Sequence, residues 1–319
     1  MTSLACALRR SLNVSLLWRK AAGLSGMVNL NVLEQFLNVK HQPVPCATEL
    51  DYYRLWHERG IGNLDPIDTA ILGSLLADRL PWVFTAGYQA TLRNAFTSLP
   101  PTGWAAFAAT EDKQNPQAHP GTTVRDGGQG LVLNGHKSWV AHSAVVDHLI
   151  VTINDPEGDK RRARGVVVER NRAGLTLTHR ENSGFLAQMS QGFAKFEDTP
   201  IDQGEIFEFE SIRQFGRTEA KFVMLASATF LLARVHDEAP LQDRLFNVIG
   251  SLVTLLGESE TSPQVYGRVD REFQRCVDLF EKEINLSDLP DYAPDRRLFR
   301  MYTEKIQRRV GYAKQDAIR

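Results

Sequence analysis

The sequence predicts an α+β protein with three parts: an N-terminal helical domain, a middle antiparallel β-barrel or β-sandwich domain and a C-terminal helix bundle. Apolar residues follow a helical spacing as far as Pro100-Pro101, then a period of two to about Pro200, and a helical spacing again after Gln203. The 319 residues also exceed the roughly 250–300 residues that one hydrophobic core holds. The expected domains are residues 1–101, 102–203 and 204–319.

The composition is that of an ordinary globular protein, with 43% hydrophobic and 24% charged residues. A formal net charge of −1 argues against a nucleic-acid-binding protein, which usually has a clear basic excess. No apolar run reaches roughly 18 residues, so we expect no membrane span. The three cysteines, Cys6, Cys46 and Cys276, lack metal-ligand spacing and predict neither a metal site nor a disulfide framework. A reduced, cytoplasmic protein is therefore expected.

The N-terminal segment is basic. Its first 33 residues contain no acid, and its basic residues are Arg9, Arg10, Arg19 and Lys20. Organellar targeting peptides have this composition. A basic first helix of the folded protein has it too, and the latter is our expectation.

The N-terminal part predicts several helices. One has an apolar stripe made of Leu30, Leu33, Phe36 and Leu37. Another is predicted over 49–59. A third begins at Asp65-Pro66, where Asp65 can cap the helix and Pro66 fits its first position. Pro81 is expected to end or kink that helix, and residues 82–96 form the next one.

The middle part predicts short strands. They are residues 104–110, 122–125, 131–132, 138–141, 148–154, 165–169, 175–178 and 193–197. Asn134-Gly135 predicts a two-residue hairpin turn between two of these strands. Further turns are predicted at 126–128, 155–158 and Ala173-Gly174. Many short strands at regular spacing indicate an antiparallel barrel or sandwich.

After Gln203 the pattern is helical. The predicted helices span 215–235, 241–256, 263–284 and 295–313. Ala226, Ser227 and Ala228 lie at the centre of the first, and such small residues suit close helix packing.

Two segments resemble a known family. They are WAAFAATED, residues 104–112, and LVLNGHKSWVAHS, residues 131–143. They are similar to the middle domain of the flavin-dependent acyl-CoA dehydrogenases, where a strand ending in Thr-Glu and a D-G-x-x-L-N-G-x-K-x-W-I-T segment form the wall beside the isoalloxazine ring. Residues 77–97, 165–177 and 193–200 resemble further family segments in the same order. The resemblance implies the same three-part architecture and an FAD cofactor.

The resemblance also implies the flavin-contacting positions. They are Phe107, Ala109, Thr110, Trp139, Val140 and Ala141. The first three belong to the strand that binds the pyrimidine edge in the family, and Trp139 matches the indole that packs on the ring. Ala141 stands where the family usually has a threonine that bonds flavin N5 and O4. The alternative for Trp139 is a core aromatic residue of the β domain.

The sequence departs from the family pattern at several points. Residues 113–116 replace a Gly-Ser-Asp segment near the flavin phosphate, and the sequence has neither a Q-x-x-G-G segment for the adenine half nor a Y-E-G run with the usual catalytic glutamate. Some family members place that glutamate on the first helix of the C-terminal bundle, near the position of Glu219. A carboxylate shielded from water can accept the α-proton because desolvation raises its pKa. The alternative for Glu219 is an acid that interacts with the macrodipole at a helix N-terminus.

The implied function is an FAD-dependent oxidoreductase that acts on the CH–CH group of an acyl thioester, carried by coenzyme A or an acyl carrier. Two alternatives stay open. One is a non-catalytic relative that serves as an interaction or acyl-carrier-binding subunit, and the other is a flavin monooxygenase of the same fold. Because the family builds its cofactor site from two subunits, we expect a homodimer or homotetramer, or a hetero-oligomer with an intact relative.

Overall fold

The computed structural model describes residues 43–153, 164–180, 184–235 and 239–316, with side chains as far as residue 311. Three features considered above lie outside these residues: the basic N-terminal segment with Cys6, the apolar stripe of residues 30–37, and the turn predicted at 155–158. Residues from Pro43 onward form one compact unit. The division at residues 101 and 203 stays a prediction.

The first described helices are α1 (Glu49–Glu58), α2 (Pro66–Leu76) and α3 (Leu80–Ala95). The predicted start of α2 is confirmed, because the Asp65 side chain accepts hydrogen bonds from the backbone N–H groups of Ile67 and Asp68, and Pro66 takes the first helical position. Pro81 lies in the first turn of α3. Proline is tolerated there, since that N–H has no partner inside a helix.

The β part consists of two four-stranded sheets. Its strands are β1 (Ala105–Ala108), β2 (Thr123–Asp126), β3 (Leu131–Ala141), β4 (His148–Ile153), β5 (Arg164–Glu169), β6 (Leu175–Arg180), β7 (Gln191–Ile201) and β8 (Ile206–Phe207). The strand orders are β1-β4-β5-β8 and β2-β3-β7-β6. The predicted α+β class is confirmed, with one difference from a fully antiparallel arrangement: β1 and β4 are parallel. Two strands of the other sheet lie between them in sequence and make the long connection that a parallel pair needs.

One hydrophobic core joins the two sheets. Leu149 and Val151 from one sheet belong to the same buried cluster as Leu133, Val140 and Phe196 from the other. Side chains on alternate positions of each strand point to opposite faces, so each sheet contributes one apolar face to this core. The β part is therefore a sandwich-like arrangement.

The hairpin turn predicted at Asn134-Gly135 is wrong. Both residues lie inside the continuous strand β3, where the pairing with β7 shifts register between Leu133 and Gly135. Gly135 has φ +125°, and the Asn134 side chain both accepts from Asp198 N–H and donates to Asp198 Oδ1, each at 2.9 Å. Glycine adopts positive φ readily, which suits a tight turn, but at Gly135 this conformation produces a bulge in the strand. The actual hairpin follows β2, where Gly127 N–H donates to the Gly130 carbonyl at 2.7 Å.

The C-terminal part contains α4 (Phe209–Leu232), α5 (Ala239–Gly257), α6 (Pro263–Glu283), α7 (Tyr292–Asp295) and α8 (Thr303–Asp316). Helix α4 begins earlier than predicted and packs closely on α3. A Cβ atom added at Gly87 would lie 2.6 Å from Val223 Cα, so only glycine permits this approach.

The continuous helix predicted over 295–313 is wrong. The chain instead forms α7, a 3₁₀ helix at Arg296–Arg300 and then α8. The Gln274 side chain donates to the Phe299 carbonyl at 2.8 Å, and this takes an acceptor that a continuous α-helix would use. Tertiary hydrogen bonds therefore replace helical ones at this break.

None of the helices in the described residues is both long and apolar enough to cross a membrane. Cys46 and Cys276 are buried free thiols, and burial raises their pKa values to about 11 and about 12.

We predict that Gly135→Ala lowers the free energy of unfolding by about 1–3 kcal/mol, because the new Cβ combines an unfavourable positive φ with a steric clash. That atom would lie 2.5 Å from the Gly121 carbonyl oxygen. Urea denaturation measures the effect. Gly204→Ala is the control, since that position has open space around it, and equal losses in both variants would contradict the prediction.

Candidate functional site

A cavity of about 540 Å³ lies between the β part and the C-terminal helices. Its apolar lining consists of Phe84, Phe185, Leu186, Met189 and Met301. Its polar lining consists of Trp139, Gln191, Glu219, Arg297 and Tyr302. Gly184 also lines the cavity. The cavity therefore combines an apolar surface with one carboxylate, one guanidinium and several neutral hydrogen-bonding groups.

Trp139 and Gln191 form the β-sheet wall. They lie on the paired strands β3 and β7, and the Trp139 indole N–H donates to Gln191 Oε1 at 3.1 Å. Arg180, on β6, donates to the same oxygen at 2.8 Å. These two hydrogen bonds fix the amide and hold the half-buried indole in place.

A second wall comes from the segment that precedes β7. Its Leu186 has φ +55°, a conformation that is costly for a residue with a branched side chain. Two contacts hold it there: its side chain is buried, and its N–H donates to Asp295 Oδ1 at 2.6 Å. Burial raises the pKa of Asp295, and the hydrogen bond from Leu186 lowers it in part.

Glu219 lies on α4, about three turns after the helix begins at Phe209. The macrodipole acts within the first turn, so the alternative that Glu219 serves as a helix N-terminal acid is wrong. Burial raises the pKa of Glu219, while Tyr302 and Lys305 each lower it in part. The cavity therefore contains a carboxylate that holds its proton more strongly than an exposed glutamate does.

The Tyr302 hydroxyl lies beside this carboxylate. It is buried, and among the described residues it makes no hydrogen bond of good distance and angle, although it is close enough to Glu219 to affect its pKa. Burial and the negative charge of Glu219 both raise the pKa of Tyr302, so the phenol keeps its proton. Tyr302 also lines the cavity, so a bound ligand can reach this side chain.

The Arg297 guanidinium supplies the positive charge of the cavity. Its central carbon lies 4.1 Å from the centroid of the Phe185 ring, a cation–π distance. This stacking orients an exposed side chain at the edge of the cavity.

Among the residues predicted from sequence, Trp139 and Glu219 come together in this cavity, and the other five do not line it. Phe107 packs on Phe215 with ring centroids 4.3 Å apart, and its N–H donates to the Tyr88 hydroxyl at 2.6 Å.

The other four residues lie in two places, after the end of strand β1 and in the buried part of strand β3. Ala109 and Thr110 are exposed beyond the end of β1, and the Thr110 carbonyl accepts from Ser138. Val140 and Ala141 are completely buried. The roles of these residues in flavin binding stay a prediction.

Gln191, Arg297 and Tyr302 were not predicted as site residues. They come from three separate elements, and no local motif surrounds any of them. The only sequence signal would have been strand pairing, because Gln191 lies directly opposite Ala141. No group of three or more His, Cys, Asp or Glu side chains that could hold a metal ion occurs in the described part of the chain.

The raised pKa of Glu219 predicts a pH dependence of stability. The folded protein binds this proton more tightly than the unfolded chain does, so stability falls as pH rises from the ordinary glutamate pKa through the raised one. Glu219→Gln removes this loss, and its melting temperature should decrease less than that of the wild type between about pH 4 and about pH 8. Glu283→Gln, at an exposed position on α6, is the control. The same pH dependence in both variants would contradict the prediction.

No family model matches this sequence, and no curated protein matches it in sequence. Solved structures do match. An FAD-dependent dehydrogenase superposes with a TM-score of 0.64 and 15% identity, over 90% of this chain and 98% of that one. The prolyl acyl carrier protein oxidase AnaB superposes with a TM-score of 0.58 and 13% identity, over 89% of this chain and 100% of that one.

A named acyl-CoA dehydrogenase matches as well. The enzyme from Geobacillus kaustophilus superposes with a TM-score of 0.51 and 12% identity, over 85% of this chain and 92% of that one. At such identities the likeness establishes the fold and not the activity. The chain therefore has the fold of the acyl-CoA dehydrogenase-like flavoproteins, as its sequence motifs predicted.

Proposed function

We propose that this protein is an FAD-dependent oxidoreductase that acts on the CH–CH group of an acyl thioester, with Glu219 as the base for the α-proton. One observation supports this above all. Trp139 and Glu219 are eighty positions apart in sequence, yet they line the same cavity. A flavin-dependent dehydrogenation of a carbon acid needs a base for the α-proton, and an aromatic side chain in the same cavity gives the flavin ring a surface to lie against.

The lining residues fit the ring of a flavin. The cavity volume lies within the roughly 300–1,000 Å³ of small-molecule sites, and its lining is mainly apolar and aromatic. Trp139 would contact the ring face, and the Gln191 amide offers donors to the acceptor atoms of the ring. When bound, FAD would accept the hydride from the β-carbon.

The environment of Glu219 suits proton abstraction. Partial burial raises the pKa of Glu219, and a more basic carboxylate takes a proton from carbon more readily. The Tyr302 hydroxyl and the Lys305 ammonium group each favour the ionised form of Glu219 and limit this rise in pKa. The Tyr302 hydroxyl is positioned to orient the carboxylate or to donate to a bound acyl group.

The acyl group would be carried by coenzyme A or by an acyl carrier. The match to AnaB, named as an acyl carrier protein oxidase, supports the second carrier as strongly as the dehydrogenase matches support the first. We further propose a homodimer or homotetramer, or a hetero-oligomer with an intact relative. Light scattering of the purified protein, alone and with an acyl carrier protein, tests these assemblies.

We predict that Trp139→Ala weakens FAD binding about fivefold or more, because a contacting aromatic ring contributes on the order of 1 kcal/mol. Quenching of flavin fluorescence on titration measures the dissociation constant. Leu50→Ala is the control, since this exposed apolar residue of α1 lies outside the cavity. Equal affinities of the two variants would contradict the predicted place of the ring.

We predict that Glu219→Gln retains FAD but slows its reduction by an acyl thioester at least about 100-fold, the usual contribution of a general base. Anaerobic loss of the flavin absorbance, with acyl-CoA and acyl-carrier substrates of several chain lengths, measures the rate. Glu283→Gln should react as the wild type does.

The same experiment separates the alternatives. If the wild-type protein binds FAD but no thioester reduces it, the dehydrogenase proposal fails and the monooxygenase alternative is favoured. If it binds no FAD at all, the non-catalytic interaction subunit takes its place.

A further inference from the structure

Gln191 has an unusual place in the site. It lies on β7 between Ala141 of β3 and Arg180 of β6, and the three residues form one row across the sheet. Ala141 has no polar side-chain atom. A side-chain hydrogen-bond donor in this row must therefore come from Gln191 or Arg180.

The orientation of the Gln191 amide follows from its partners. The Trp139 indole N–H and the Arg180 guanidinium can only donate, and both bond the same amide atom, at 3.1 Å and 2.8 Å. That atom must therefore be the carbonyl oxygen. Gln191 lines the cavity, and among the described residues its NH₂ group makes no hydrogen bond, so its two N–H donors are left for a ligand.

We propose that the Gln191 NH₂ group donates a hydrogen bond to a carbonyl oxygen of the isoalloxazine ring. This inference rests on the proposed FAD site and adds a specific residue to it. The ring carries two carbonyl oxygens, and an amide N–H is a matching neutral donor. Because Trp139 binds the same amide, Gln191 couples the aromatic contact to the polar one.

This bond would also affect the chemistry of the ring. Reduction places more electron density on the flavin carbonyl oxygens, so a donor at one of them stabilises the reduced form more than the oxidised form. Gln191 should therefore raise the reduction potential of the bound flavin as well as its affinity.

Two variants separate donation from mere support of Trp139. Gln191→Glu keeps an acceptor for Trp139 and Arg180, loses the N–H donors and adds a negative charge, since the neighbouring guanidinium keeps the new carboxylate ionised. Its effect is therefore interpreted together with that of a neutral variant. Gln191→Met loses both the acceptor and the donors at similar length. Gln203→Glu, at an exposed position outside the cavity, is the control for the change in net charge, and the neutral Gln191→Met is the control for a charge beside the flavin.

The FAD-loaded proteins are compared by fluorescence titration and by reduction against a dye of known potential. We expect both Gln191 variants to bind FAD about fivefold more weakly than wild type, the loss of one hydrogen bond of about 1 kcal/mol, and to have a lower reduction potential. Gln203→Glu should match the wild type in both measurements.

Each other outcome overturns the inference in a recognisable way. In one outcome the wild type binds FAD, and Gln191→Glu has the same FAD affinity and reduction potential as Gln203→Glu, whether or not Gln191→Met binds more weakly. Gln191 then supports Trp139 and does not touch the flavin. If the wild type binds no FAD, the proposed function fails together with this inference. Thermal melts establish that each variant is folded. If Gln191→Glu does not fold, the potential of Gln191→Met decides: a lowered value supports the donor role and an unchanged value overturns it.

Discussion

The hydrogen bond from Leu186 N–H to the buried Asp295 carboxylate is the constraint on which the geometry of the cavity depends. It joins the segment before β7 to the C-terminal helical part at 2.6 Å. Leu186 keeps its positive φ because this bond and the burial of its side chain outweigh the strain, which is about 1–3 kcal/mol for such a conformation. The apolar wall of the cavity is held opposite Glu219 and Tyr302 as a result.

Opposing effects also set the pKa of the Glu219 carboxylate in the cavity. Glu219 is shielded enough for its pKa to rise, but Lys305 and Tyr302 keep that rise in check. Arg297 stacks on Phe185 at the edge of the cavity, and it is not among the groups that shift the pKa of Glu219. A carboxylate bound directly to a guanidinium would be a poor base, because the ion pair would lower its pKa.

Much of the fold and part of the site followed from sequence. Asp65-Pro66 identified a helix start correctly, because capping is a local interaction that a few residues determine. Asn134-Gly135 misled, because its preference for positive φ is compatible with both a turn and a bulge, and pairing with the distant strand β7 decides between them. Trp139 and Glu219 were found through motif positions. Gln191 and Tyr302 were not, because only strand register and the break before α8 bring them to the cavity.

The position of the cavity wall in a loop has an evolutionary consequence. Strands β6 and β7 end their pairing at Arg180 and Gln191, and residues 184–189, between the two strands, contribute to the wall. Doubling the length of a flexible connection costs only about 0.6 kcal/mol in closure entropy, so an insertion that keeps the Leu186–Asp295 hydrogen bond has a small entropic cost. Insertions or deletions there would enlarge or narrow the cavity while the sheet register stays unchanged. Selection for acyl groups of different size could therefore act on this connection without rebuilding the sheets.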